Sequence, residues 1–288
     1  MKERDSRCSW EISIPCRCTP ASPKVGTPEY GQHRTHPDAD DLEALRLVTS
    51  WLSDGAPLAH LRYSDGEFWT ILGRQGVNTD GLRMNAGPFG QELAHILRSV
   101  STGGWGSRVL VGGDWTIPEH EAYVRSMGLL ESVPWCPSSI WVNGVLSGLL
   151  AEFFERLRAD PRPRILVSNT GVRKAATYLK ATWIEVPRTD AWAAVPSVVG
   201  QLAAAPRDAI VLYCAGMASE VLAWRAHGRR PDLSHLDMGH VFDGAFGIRN
   251  RCWLLPEGIC RKRDVYLGQY GPVLRGEASS FGTFESER

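Results

Sequence analysis

The sequence is short of several things, and each shortage removes a class of function. Its 32 basic and 32 acidic residues cancel, so it lacks the cationic excess with which a general nucleic-acid binder neutralises phosphates. Lysine is scarce: five of the cationic side chains are Lys and 27 are Arg. Guanidiniums can grip phosphates in a bidentate way, but a codon bias toward Arg and Ala accounts for most of them. The seven cysteines, at 8, 16, 18, 136, 214, 252 and 260, are odd in number and contain no C-x-x-C pair. That argues against a disulfide framework or a zinc ribbon and fits reduced thiols of the cytosol. No His pair at finger spacing follows Cys8, Cys16 and Cys18. The charged start is not followed by an apolar signal segment. The longest uncharged stretch, 132–151, is interrupted by Pro134, Pro137 and Asn143; it reads as a loop and then a buried helix, not a membrane span. The expectation is a soluble, cytoplasmic protein.

What remains is ordinary globular material, 43% hydrophobic and 22% charged over 288 residues, enough for one large domain. Prolines at 15, 20, 23, 28 and 37 punctuate a leader, 1–37, that reads as flexible. Residues 273–288 read as a loose tail, which leaves a single compact domain, 38–272. Within it, segments of helical period (38–54, 89–100, 118–127, 145–157, 171–179, 195–204 and 217–227) alternate with apolar runs of strand length (58–63, 108–111, 164–167, 183–186, 209–214 and 233–237). Such alternation implies βαβ units: an α/β, Rossmann-like domain with a mostly parallel sheet and helices on both faces. In these sheets ligands bind at the carboxyl ends of strands, so the residues just after each strand are the ones to weigh.

Five such segments carry chemistry. After the first strand comes Arg62-Tyr63-Ser64-Asp65-Gly66-Glu67. If the backbone stays extended, Asp65 and Glu67 point to one side and can share a magnesium or manganese ion with substrate phosphates, with Arg62 close to those phosphates. The same residues also make an ordinary surface turn. After the strand 209–214, Ala215-Gly216-Met217 leads straight into a helix. There backbone N–H groups and the helix dipole can cradle a phosphate, although no complete G-x-G-x-x-G is present. Ser168 and Asn169 occupy the equivalent place after the strand 164–167, where a plain helix cap is the alternative. Asp190 and Trp192, in Val186-Pro187-Arg188-Thr189-Asp190-Ala191-Trp192, offer a polar partner and an aromatic face. After the last strand, Asp237, His240 and Asp243 supply candidates for the general base that deprotonates a hydroxyl, or else a buried pair that holds a loop.

Taken in order, R-Y-S-D-G-E, V-P-R-T-D-A-W, C-A-G-M-A-S-E-V-L and L-D-M-G-H-V-F-D resemble the GT-D-type glycosyltransferases, Rossmann-like enzymes first described as a domain of unknown function. The resemblance spans roughly 58–247. It implies transfer of a sugar, typically glucose, from a UDP-sugar to a hydroxyl of a glycan, glycoprotein or natural product. In the family an Asp-x-Glu motif serves the donor diphosphate through a metal, and it matches Asp65 and Glu67. Two positions depart from the family pattern: Ser64 stands where Gly is usual, and Asp190 where Asn is common. A carboxylate at 190 repels phosphate but can bind ribose or sugar hydroxyls. The competing expectations are a non-catalytic nucleotide-sugar-binding module and another Rossmann enzyme such as a methyltransferase.

Overall fold

The computed structural model describes residues 41–74, 76–77, 83–84, 87–114, 117–248 and 261–282. The leader 1–37, with Cys8, Cys16 and Cys18, lies outside the described residues, as do Cys252 and Cys260. Nine strands are described: β1 (Ala59–Tyr63), β2 (Gly76–Val77), β3 (Arg83–Met84), β4 (Val109–Gly113), β5 (Trp135–Pro137), β6 (Arg164–Ser168), β7 (Thr182–Glu185), β8 (Ile210–Cys214) and β9 (Ser234–Asp237). Before, between and after them run α1 (Asp41–Ser53), α2 (Asp65–Ile71), α3 (Pro88–Ser101), α4 (Pro118–Ser126), α5 (Ile140–Asn143), α6 (Leu149–Ala159), α7 (Ala175–Leu179), α8 (Val195–Ala203), α9 (Ser219–His227), α10 (Arg261–Val265) and α11 (Gly271–Leu274).

Seven strands form one sheet in the order β5-β4-β1-β9-β8-β6-β7, and every pairing in it is parallel. β2 and β3 make a separate antiparallel pair. The central strands are buried except at Arg62 of β1; β4 and β8, reading VLVGG and IVLYC, expose none of their residues. Continuous apolar strands of this kind need cover on both faces. Val211 and Tyr213 of β8 join a core shared with α3, α8 and α9. Ile210, Leu212 and Cys214 point the other way, into a core with α1, α6, α7 and α11. The α/β, Rossmann-like expectation is therefore met. No helix among the described residues is long and apolar enough to cross a membrane.

Three differences from the sequence expectation have local causes. Residues 135–137 were expected in a loop but form β5. It is an edge strand flanked by Pro134 and containing Pro137, and edges tolerate residues that cannot donate to a ladder. The helix expected over 171–179 divides into a tight turn, Thr170–Val172, and α7, and the one expected over 145–157 starts later, after Gly148 at φ +76°. At the far end, Val273 and Leu274 are buried and Tyr270 donates to the Val145 carbonyl at 3.1 Å, so the packed core runs on through α11.

Candidate active site

A cleft opens beyond the carboxyl ends of β6, β8 and β9. One wall is the turn between β8 and α9. Gly216 there adopts φ +58°, and Gly216 and Met217 line the cleft where the chain enters α9. The turn is braced from behind by the start of α2: a Cβ placed on Gly66 would come 2.7 Å from Met217 Sδ, and Thr70 Oγ1 donates to the same sulfur at 3.5 Å. Gly66 thus lets the Met217 side chain approach the start of α2 closely. The opposite wall is the exit of β9, where His240 Nδ1 stands 3.3 Å from Asp243 Oδ2. Asn169 and Ile248 close one end, and Pro187, Arg188 and Asp190 the other. Asn169 Oδ1 accepts from Gly171 N at 2.8 Å, and Asp190 holds the left-handed φ of +54°. Non-glycine residues in that conformation are uncommon and concentrate at binding sites.

Beneath the cleft lies a buried charge cluster centred on Arg62. Its Nε donates to the Ser138 carbonyl at 3.2 Å, its Nη1 stands 3.8 Å from Asp237 Oδ2, and its backbone N–H donates to Glu220 Oε1 at 3.1 Å. Burial alone pulls the guanidinium pKa down, but Asp237, Glu67, Glu220 and Asp65 together raise it above its ordinary value. Glu220 is fully buried and its Oε2 has no partner. Burial, with Asp237 and Glu67 nearby, pushes it well above the carboxylate range. Gly239 completes the cluster: at φ +52°, a Cβ there would lie 1.5 Å from Arg62 Nη1. Asp237 Oδ1 accepts the Gly239 N–H at 2.9 Å, which fixes the loop that carries His240 and Asp243.

Of the residues singled out from sequence, Asn169, Asp190, Gly216, Met217, His240 and Asp243 line this cleft. Others are placed elsewhere. Ser168 turns to the opposite face, accepting from Trp183 Nε1 at 3.0 Å. Trp192 packs against Phe89 at 4.6 Å under the Arg225 guanidinium. Asp237 and Arg62 sit behind the cleft wall, holding one another. Asp65 and Glu67 form the first turn of α2 and not an extended continuation of β1, and i, i+2 positions on a helix point about 200° apart. Asp65 is exposed, with Oδ1 accepting from Gly66 N at 2.9 Å. Glu67 is buried, its Oε2 accepting from Ser64 N at 2.9 Å and Ser64 Oγ at 3.0 Å; burial raises it to about 7 despite Arg62. The hard oxygen of exposed Asp65 suits a divalent cation that shares phosphate ligands, whereas Glu67 is occupied in bracing the turn. Among the described residues no group of three or more His, Cys, Asp or Glu side chains is arranged to hold a metal. Arg188 went unselected in the sequence reading, yet it is the one permanent cation among the described lining residues. Its place two residues before Asp190, beyond a strand end, was the available signal.

No family model matches the chain, and no curated protein does. Solved structures do. One is a glycosyltransferase (DUF1792) from Streptococcus sanguinis, 14% identical, covering 69% of this chain and 81% of its own, with TM-score 0.50. A second, of domain of unknown function 1792 and described as a distinct glycosyltransferase fold, is 16% identical over 71% of this chain and 78% of its own, with TM-score 0.50. A selenomethionine-substituted structure of that domain covers the same shares at 16% identity and TM-score 0.51. This chain has the fold of the DUF1792 glycosyltransferase structures.

Proposed function

We propose that the protein is a glycosyltransferase that moves a hexose, glucose in the first instance, from a UDP-sugar to a hydroxyl of a glycan or glycosylated acceptor. The observation that carries the reading is the cleft itself: a helix-entry turn on one wall faces a carboxylate–imidazole pair on the other, on this fold. The backbone of Gly216–Met217 and the positive end of α9 favour the donor diphosphate, and Arg188 adds an exposed guanidinium that can pair with it. Asp190, beside Arg188, suits ribose or sugar hydroxyls better than phosphate. Asp243 takes the proton of the acceptor hydroxyl, held in orientation by His240. The acceptor oxygen forms a bond to the anomeric carbon, and the bond from that carbon to the diphosphate oxygen breaks, the electron pair leaving with UDP. A magnesium or manganese ion held by Asp65, with Glu67 bracing the turn behind it, would neutralise charge on the leaving diphosphate.

Thermal unfolding with UDP-, GDP- and dTDP-sugars and with S-adenosylmethionine, each with and without manganese, tests this without knowledge of the acceptor. A ligand at about 100 times its dissociation constant stabilises by roughly 2.7 kcal/mol, so one UDP-sugar is expected to raise the midpoint by several degrees, and more with manganese. A response to S-adenosylmethionine alone would point instead to a methyltransferase.

A further inference from the structure

A second groove lies directly against the first cleft, and its lining differs in kind. The partition between them is thin. The turn Thr170–Val172 and the turn Asp243–Phe246 pack on one another. Asn169, Asp243 and Ile248 face the cleft, while Gly171, Gly244 and Ala245 face the groove. Gly171 is tightly packed in this partition: a Cβ would meet Asn169 Oδ1 at 2.8 Å and Ile248 Cδ1 at 2.9 Å. The carboxylate proposed as base and the ring of Phe246 are thus two ends of one four-residue turn.

The groove offers one apolar surface and a set of fixed hydrogen-bonding groups. Phe246 and Leu267 are half-buried, and Thr170 and Lys174 are exposed beside them. On the far side Arg275 and Glu277 are paired in a fork, Nε to Oε1 at 2.7 Å and Nη2 to Oε2 at 2.6 Å. Nη1 is tied to the Ala245 carbonyl at 3.0 Å. This arrangement orients the guanidinium and the carboxylate while leaving each with unused donors or lone pairs. An apolar ring face beside a paired donor and acceptor matches a saccharide, which has one C–H face and hydroxyls around its edge.

We propose that this groove, walled by Thr170, Lys174, Phe246, Leu267, Arg275 and Glu277, is the subsite that holds the saccharide acceptor of the glycosyl transfer. The inference rests on the functional reading above and assigns a second substrate to the other side of Asp243. An acceptor sugar stacked on Phe246 directs its next hydroxyl over Ile248 toward Asp243, and the donor enters from the α9 side.

Amide chemical-shift titration of the full chain separates the two ideas. UDP is expected to move the Gly216 and Gly239 signals; cellobiose, chitobiose or lactose at tens of millimolar is expected to move Gly171, Gly244 and Gly247. Phe246→Ala should weaken the disaccharide response at least tenfold. Arg275 also ties Ala245, so Glu277→Gln, which leaves that tie, is the second variant, with several-fold weakening expected. Groove signals unmoved by all three disaccharides, or moved equally by inorganic phosphate, would overturn the acceptor assignment while a UDP response left the glycosyltransferase reading standing. Groove signals that respond while UDP moves nothing would keep a saccharide site and remove the transferase.

Discussion

His60 provides a sharp physical test of the structure, because it sits fully buried in β1 with its protonation state held by its surroundings. Nδ1 lies 3.2 Å from the Asp237 carbonyl, which makes Nδ1–H the donor, and Nε2 has no partner. The ring stands edge-on to Trp141, with centroids 5.1 Å apart. Burial, reinforced by the adjacent Arg62 guanidinium, lowers the pKa from 6.5 to about 3. The unfolded chain therefore binds a proton below pH 6.5 that the folded chain refuses until about pH 3, and stability falls as the pH drops through that window. From pH 6.5 to 5 the span is 1.5 units, so His60 costs about 2 kcal/mol at pH 5, a sizeable share of the roughly 5–15 kcal/mol that holds a domain together. Buried Glu67, raised to about 7, and Glu220 act in the opposite direction, since the folded chain keeps their protons longer. The wild-type pH profile alone is consequently ambiguous, and the difference from His60→Asn is the readout. Asn retains a donor for the Asp237 carbonyl but does not titrate. Urea unfolding followed by tryptophan fluorescence at pH 5.0 to 7.5 should show wild type losing about 2 kcal/mol relative to the variant on acidification. Parallel curves would refute the buried, neutral His60.

Other outcomes follow from the same contacts. Gly239→Ala forces a left-handed alanine, costing about 1–2 kcal/mol, and drives its Cβ into Arg62. We expect a lowered midpoint and loss of UDP-sugar binding, and an unchanged midpoint would count against the Arg62 cluster. Gly66→Ala overpacks Met217 by a methyl group, at about 1–3 kcal/mol, and should weaken UDP binding more than it lowers stability elsewhere predicts. Asp243→Asn should reduce kcat of transfer by about 10²–10⁴-fold while UDP affinity, measured by calorimetry, stays within a few-fold. Arg188→Ala should raise the dissociation constant for UDP and flatten its salt dependence, because a guanidinium–phosphate pair is lost.

The architecture was legible because periodicity is local. Apolar runs such as 209–214 have the length and composition of strands buried on both faces, and the helices between them fix parallel pairing by connection length. β5 was not legible: three residues beside Pro134 are strand only because the edge of β4 is there to pair with. The same division holds in the site. Asn169, Asp190, Gly216, Met217, His240 and Asp243 could be marked from their place after strand ends, since that position is a property of chain order. The direction of each side chain was not available in the same way. Asp65 and Glu67 converge only on an extended backbone, whereas Ser64 and Glu67 make a reciprocal N-terminal cap that begins a helix.

By itself the sequence determined an α/β sheet with its chemistry gathered at one end, through strand and helix lengths and the small residues that turn between them. Tertiary structure alone decided which charges line the cleft and which meet one another. Arg62 reads in sequence as a phosphate ligand, but its backbone pairs with Glu220, 158 residues away, and its side chain is held against Asp237. Arg188, which looked incidental, faces the cleft. Burial and charge pairing are properties of groups brought together across the fold, and no local pattern encodes which of several arginines finds an acid and which is left to the solvent.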